Sequence, residues 1–197
     1  MEKPAPTQYK INDLLIRRWS PRAFSTQPVE TEKLKRIFEA ARWSPSASNE
    51  QPWYFIVGIR PDHTWNQIFE TLVDFNQKWC HTVPVLGLAI GRKNLVKKKG
   101  NNQWFRYDVG QSLAHLTFQA MTDNLWVHQM GGFDQDLAAQ KFFLPENFEA
   151  ITTFAIGYQG DYQELHPNLR KIEPDPRERK PFEDFIFAEK FGNTFTF

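Results

Sequence analysis

The sequence predicts an α/β or α+β domain around one central sheet, and three observations carry that expectation. Several long segments repeat apolar residues at helical spacing. Between them lie short apolar runs rich in β-branched and aromatic residues. The two kinds alternate along most of the chain, whose 197 residues are enough for one sizeable core.

Taken in order, residues 9–18 carry Ile11, Leu14 and Leu15 on one helical stripe. A second helix is expected over 31–43, with Leu34, Ile37, Phe38 and Ala41 as its apolar face and Glu32 in its first turn. Ser44-Pro45-Ser46 ends it, because the residue before a proline avoids helical geometry. Residues 53–57 (Trp-Tyr-Phe-Ile-Val) read as a buried strand. A helix over 64–79 follows, then a buried strand over 83–90. Residues 105–124 give the strongest helical pattern, with Val109, Leu113, Leu116 and Ala120 in register. A short strand over 126–130, a short helix over 135–142 and a strand over 151–158 complete the alternation. Residues 160–181 hold four prolines and show no periodicity, which marks a functional stretch or an arm. Beyond them, Phe182, Phe185, Ile186 and Phe187 form an apolar, strand-like tail suited to contact with another subunit.

Composition narrows the function. Net charge is +1, so overall charge steers no polyanion. The basic run from Arg92 to Lys99 lacks interleaved aromatics and reads as a solvated loop rather than a nucleic-acid surface. Cys80 is the only cysteine, which excludes an intrachain disulfide and suits a reducing compartment. The five histidines show no metal-ligand spacing, so no metal site is expected. The N-terminus is polar and contains two prolines, unlike a signal peptide, and the longest apolar run is too short to span a bilayer. The expected location is the cytoplasm, without membrane or nucleic-acid partners. Aromatic content is 15%, which points to flat ligand pockets, a broad interface or an aromatic-rich core.

Four segments carry chemistry. Arg17, Arg18 and Arg22 place three guanidinium groups within six residues, with Ser20 between two of them and no carboxylate in the run. Guanidinium stays charged and bonds multi-oxygen anions in pairs, so the cluster suits an anionic cofactor; a solvated basic turn is the competing reading. Ser44 to Trp53 links a helix to a strand with small and polar residues, which admit a flat ring close to the backbone or simply make a polar turn. Gly131-Gly132 follows a predicted strand, where ligands collect in open sheets. Arg177 and Arg179 alternate on an extended stretch and so converge on one group; a phosphate monoester fits such a pair, and an exposed charge run is the alternative.

In this order and spacing, the four segments resemble the nitroreductase family of FMN-dependent oxidoreductases, over about residues 13–187. The resemblance implies an α+β fold with a mixed sheet flanked by helices. It implies an obligate homodimer with FMN at the interface and C-terminal arms exchanged between subunits. On that basis residues 1–181 form a single FMN-binding domain, and residues 182–197 an extension on the partner subunit. Arg18 and Ser20 are expected at the phosphate or ribityl end of FMN, and Arg22 near the N1/O2 edge of the ring, where a cation favours the reduced flavin. Pro45, Ser46, Ala47 and Asn49 correspond to the ring-lining segment supplied by the partner. Asn76 corresponds to an amide that reaches the flavin, Gly131 and Gly132 to the glycine pair near N5, and Arg177 and Arg179 to the phosphate grip. Trp19 stands where relatives carry a small or polar residue and is expected to close part of the site or pack on the ring. Lys180 replaces a residue that is usually apolar.

The implied activity is hydride transfer from NADH or NADPH, through FMN, to a small-molecule electron acceptor such as a nitroaromatic or quinone. No side chain is needed as nucleophile. The alternatives are a non-catalytic FMN carrier or sensor, or specialised flavin chemistry on the same fold: reductive dehalogenation, flavin breakdown or ring dehydrogenation.

Overall fold

The computed structural model describes residues 1–197. One four-stranded sheet lies between two layers of helices. Its strands are β1 (Trp53–Ile59), β2 (Val85–Arg92), β3 (Trp126–Met130) and β4 (Phe148–Gly157), in the spatial order β1-β2-β4-β3. β2 is buried from Val85 to Gly91, flanked by β1 and β4. Successive strand side chains point to opposite faces. Leu86, Leu88 and Ile90 therefore join one apolar cluster, while Val85 and Ala89 join the other.

α2 (Thr31–Arg42) and α5 (Phe105–Thr122) cover one face. α2 buries Leu34, Ile37 and Ala41, and α5 buries Val109, Leu113, Leu116 and Ala120. The other face is covered by α3 (His63–Thr71), α4 (Asp74–Cys80) and α6 (Gln135–Lys141), together with the loop that follows α1 (Asp13–Arg17). Asp62 and Asp134 cap α3 and α6, their carboxylates accepting from the N–H groups of Trp65 and Leu137. Gly87 is required where it stands, because a Cβ there would lie 2.1 Å from the ring of Phe154 on β4. No helix is long and apolar enough to cross a membrane.

The structure departs from the sequence expectation at four places. The sheet is antiparallel throughout rather than mixed. The α5 crossover leaves β2 and β3 pointing the same way, but β4 runs between them, so no two neighbours are parallel. The helix expected over 64–79 is two helices. Leu72 and Val73 are extended, because Leu72 bridges to Phe133 and the Val73 N–H donates to the Gly132 carbonyl at 3.1 Å. The stretch 160–181 contains a short turn at Tyr162–Glu164 and α7 (Pro167–Ile172). The tail opens with a 3-10 turn at Phe182–Asp184 instead of a strand. It then folds on itself, with Phe187 bridged to Thr194 and the Phe195 N–H donating to the Ile186 carbonyl.

Candidate functional site

The arginine-bearing loop begins where α1 stops. Arg18 is extended, its N–H capping the Leu14 carbonyl, and its Nη1 donates to Ser20 Oγ at 3.3 Å. Burial lowers the Arg18 pKa first, and the charges of Arg177 and Arg179 lower it further. Arg177 is lowered in the same way, by burial and then by Arg179. Two arginine-bearing segments about 160 residues apart in the chain are thus neighbours, joined where Arg177 reaches the Ile16 carbonyl. None of Arg18, Arg177 and Arg179 enters an ion pair. Arg177 is fixed by donating from Nη1 to the carbonyls of Ile16 at 2.7 Å and Lys3 at 2.9 Å, while Arg179 bonds only the neighbouring Glu178 carbonyl. Beside Arg18 and Ser20 opens a recess of about 370 Å³, walled by Thr117 and Phe118 of α5 and Val127 and Gln129 of β3.

The same loop carries Arg22, whose surroundings differ. Its Nη1 donates to Glu173 Oε2 at 3.0 Å, and its Cζ lies 5.8 Å from the centre of the Phe75 ring. His128 of β3 makes its Nδ1 contact with the Pro21 carbonyl at 2.8 Å and sits 4.6 Å from the ring of Trp79. Trp79 in turn donates from Nε1 to Asn76 Oδ1 at 3.3 Å, and Asn76 Nδ2 donates to the Gly132 carbonyl at 2.9 Å. The break between α3 and α4 makes this possible, because it starts α4 beside the 131–133 strand edge. One continuous set of contacts therefore links Pro21 and Arg22 to Asn76 and Gly132. A Cβ on Gly132 would meet Asn76 Nδ2 at 2.9 Å, whereas nothing lies within 4 Å of one on Gly131.

Trp19 is 5% exposed. Its ring meets Trp126 edge-on at 6.0 Å, and Lys3 Nζ covers it at 4.6 Å. It is a core side chain with no open ring face, and its buried indole N–H lacks a partner.

The segment of Pro45, Ser46, Ala47 and Asn49 lies elsewhere. It leans on the first turn of α5, where the Ala47 N–H donates to buried Asp108 at 3.2 Å. Burial raises the Asp108 pKa, opposed by that hydrogen bond. The loop after β2 covers it from the other side: Val96 N–H donates to Glu50 Oε2 at 2.6 Å, and Lys97 Nζ to the Ser48 carbonyl at 3.3 Å. Ser48, Asn49 and Gln51 all adopt positive φ, between 48° and 55°. Such backbone costs about 1 kcal/mol or more per residue and gathers at functional sites. No hydrogen bond or ion pair connects this segment to the arginine cluster within the chain.

Three contributors escape sequence reasoning: Glu173, His128 and Lys3. Pro167 fits the first position of the short helix that ends at Glu173, but nothing in that pattern marks the carboxylate as buried.

Arg18 and Ser20 line the recess beside α5, whereas Arg177 and Arg179 line a second one of about 560 Å³ together with Tyr9 and Phe182; guanidinium groups without carboxylate partners suit a phosphate-bearing ligand. The nitroreductase family model matches residues 15–78. A crystal structure described as an oxidoreductase containing FMN superposes with a TM-score of 0.91 at 33% identity, covering 96% of this chain and 97% of the other. A nitroreductase family protein from Clostridium difficile 630 gives 0.72 at 24% identity, over 90% and 97% of the two chains. The major NAD(P)H-flavin oxidoreductase of Aliivibrio fischeri is 25% identical over 89% of this chain and 96% of its own. Fold and relatives thus define an α+β protein of oxidoreductase type. The chain belongs to the nitroreductase family.

Proposed function

We propose that the protein is an FMN-dependent oxidoreductase, working as a homodimer, that takes hydride from NADH or NADPH and passes electrons to a small acceptor such as a nitroaromatic or quinone. The observation that carries this reading is the convergence of Arg18, Arg177 and Arg179 without a carboxylate partner, in a chain 33% identical to an FMN-containing oxidoreductase. FMN, when bound, supplies the hydride-accepting and electron-donating centre. Arg18, Ser20, Arg177 and Arg179 hold its phosphate. Arg22 stands at the ring edge where negative charge gathers, and Asn76, bonded to Trp79 and Gly132, braces the glycine edge that lines the ring. Pro45, Ser46, Ala47 and Asn49 reach that ring from the partner subunit, which accounts for their separation from the arginines within one chain. The lone, buried Cys80 suits work in the cytoplasm.

Purification tests the reading directly. The protein is expected to be yellow, or to take up added FMN, and its visible bands to bleach under anaerobic NADH or NADPH. A colourless protein that ignores FMN overturns the proposal. A bound flavin bleached by neither reductant leaves a carrier instead of an enzyme.

A further inference from the structure

Anion binding does not explain why Arg22, alone of the loop's cofactor-facing arginines, is matched to a carboxylate. Glu173 closes α7, and its side chain is fully buried. Its Oε2 accepts from Arg22 Nη1 at 3.0 Å. Its Oε1 accepts from the backbone N–H of Arg22 at 2.6 Å and of Ala23 at 3.4 Å. Lys3 Nζ donates to its backbone carbonyl at 2.6 Å and ties the end of α7 to the N-terminal segment. One carboxylate thus fixes both the guanidinium and the stretch of backbone that carries it. The rest of Arg22 stays directed by that anchor: Nε is buried without a partner, and Phe75 lies beneath the charge.

We infer that Glu173 is a positioning residue for the redox centre. It aims Arg22, and its negative charge limits the positive field that Arg22 delivers. The inference rests on the FMN reading proposed above. Hydride uptake makes a flavin ring more negative, so a bare guanidinium at its edge favours the reduced form. A carboxylate bonded to that guanidinium at 3.0 Å offsets most of the effect. The protein would then hold its flavin at a lower potential than Arg22 alone would set, which makes the reduced cofactor a stronger donor.

Glu173→Gln in the FMN-loaded protein removes the charge and keeps one oxygen for the N–H donors. In a redox titration, this variant is expected to favour reduced over oxidised FMN about tenfold more than wild type, a rise of about 30 mV for a two-electron couple. The double variant Arg22→Gln/Glu173→Gln removes both charges and leaves neither unpaired. Its preference is expected within about threefold of wild type, because the two charges act as a coupled pair. A purely structural Glu173 would weaken folding or FMN uptake without this pattern. An unchanged potential in Glu173→Gln, or a double variant displaced by tenfold or more in either direction, overturns the inference. If Glu173→Gln does not fold, Arg22→Gln is compared with the double variant instead: it keeps the carboxylate alone and is expected to favour oxidised FMN about tenfold more than the double variant, and equal potentials overturn the inference. A wild-type protein that binds no FMN overturns the proposed function instead, so the two failures are distinct.

Discussion

His128 shows how one side chain ties the site to the stability of the chain. Its pKa is lowered from 6.5 to about 4, chiefly by burial, with the charges of Arg22 and Arg18 acting in the same direction. The Pro21 carbonyl and Glu173 work the other way. In the unfolded chain the imidazole takes up its proton near its ordinary pKa, so between the two values the unfolded state binds more protons. Stability from the neutral ring is therefore present above pH 6.5 and is lost as pH falls toward 4. A shift of that size corresponds to about 3 kcal/mol, trimmed because the ring keeps partial exposure. Glu30 and Glu39, held at about 2 by hydrogen bonds led by Tyr158 and Arg42 respectively, take up protons and give up their contribution only as pH falls from 4.5 toward 2. Urea denaturation midpoints are expected to fall between about pH 7 and pH 5 in wild type. His128→Phe keeps a ring against Trp79 and should give a flatter dependence over that window. A variant that retains the full wild-type slope would assign the effect to another group.

At the scale of elements, the break at Leu72–Val73 matters most, since it places Asn76 under Gly132. The two adjacent glycines make unequal demands there. Gly132→Ala must displace Asn76 Nδ2 and Val73 Cγ2, which stand 2.9 and 3.0 Å from the new methyl. The expected cost is about 1–3 kcal/mol, with weakened FMN retention. Gly131→Ala meets nothing within the chain and is expected to match wild type in thermal unfolding. Equal behaviour of the two variants would sever the link between Asn76 and the glycine edge. The same break shows what the sequence could and could not reveal. α2 and β3 are legible because amphipathic spacing and a short apolar run decide them locally. The Leu72 break is not, because no Gly or Pro marks it and the competing force is pairing with Phe133, remote in sequence. Arg18, Ser20, Arg177 and Arg179 are legible as a site through charge without counter-charge. Glu173 is not, since an acidic residue in a proline-rich stretch gives no sign that it will be buried. Strand direction is not legible either: the mixed sheet is implied only by the family resemblance, and direction depends on where β4 inserts, which spacing along the chain does not encode.

The whole molecule carries its two groups of candidate residues on separate surfaces. The arginine cluster lies in one place and the strained 46–51 turn in another, and each is flanked by exposed aromatic side chains. Trp43, Trp104 and Tyr107 stand 60% or more exposed near the turn, and Phe191 and Phe197 are 93% and 80% exposed on the tail. Apolar area on that scale marks a surface meant to be covered. The tail is held to its own chain mainly through aromatic contacts, with Phe182 stacked on Tyr9 at 5.6 Å and packed against Phe185 and Phe197. Ending the chain after Pro181 removes this cluster yet spares Arg177 and Arg179. If the tail serves the subunit contact, light scattering of the truncated protein should show mass shifting toward the monomer on dilution. FMN affinity should fall in parallel, because the ring loses the turn supplied by the partner while the phosphate grip remains. Loss of the tail costs few core contacts, so thermal unfolding of the separated subunit should stay cooperative. A truncated dimer as stable as the full chain would move the subunit contact to the Trp43–Tyr107 face alone. A truncated monomer that binds FMN as tightly as wild type would refute the shared site.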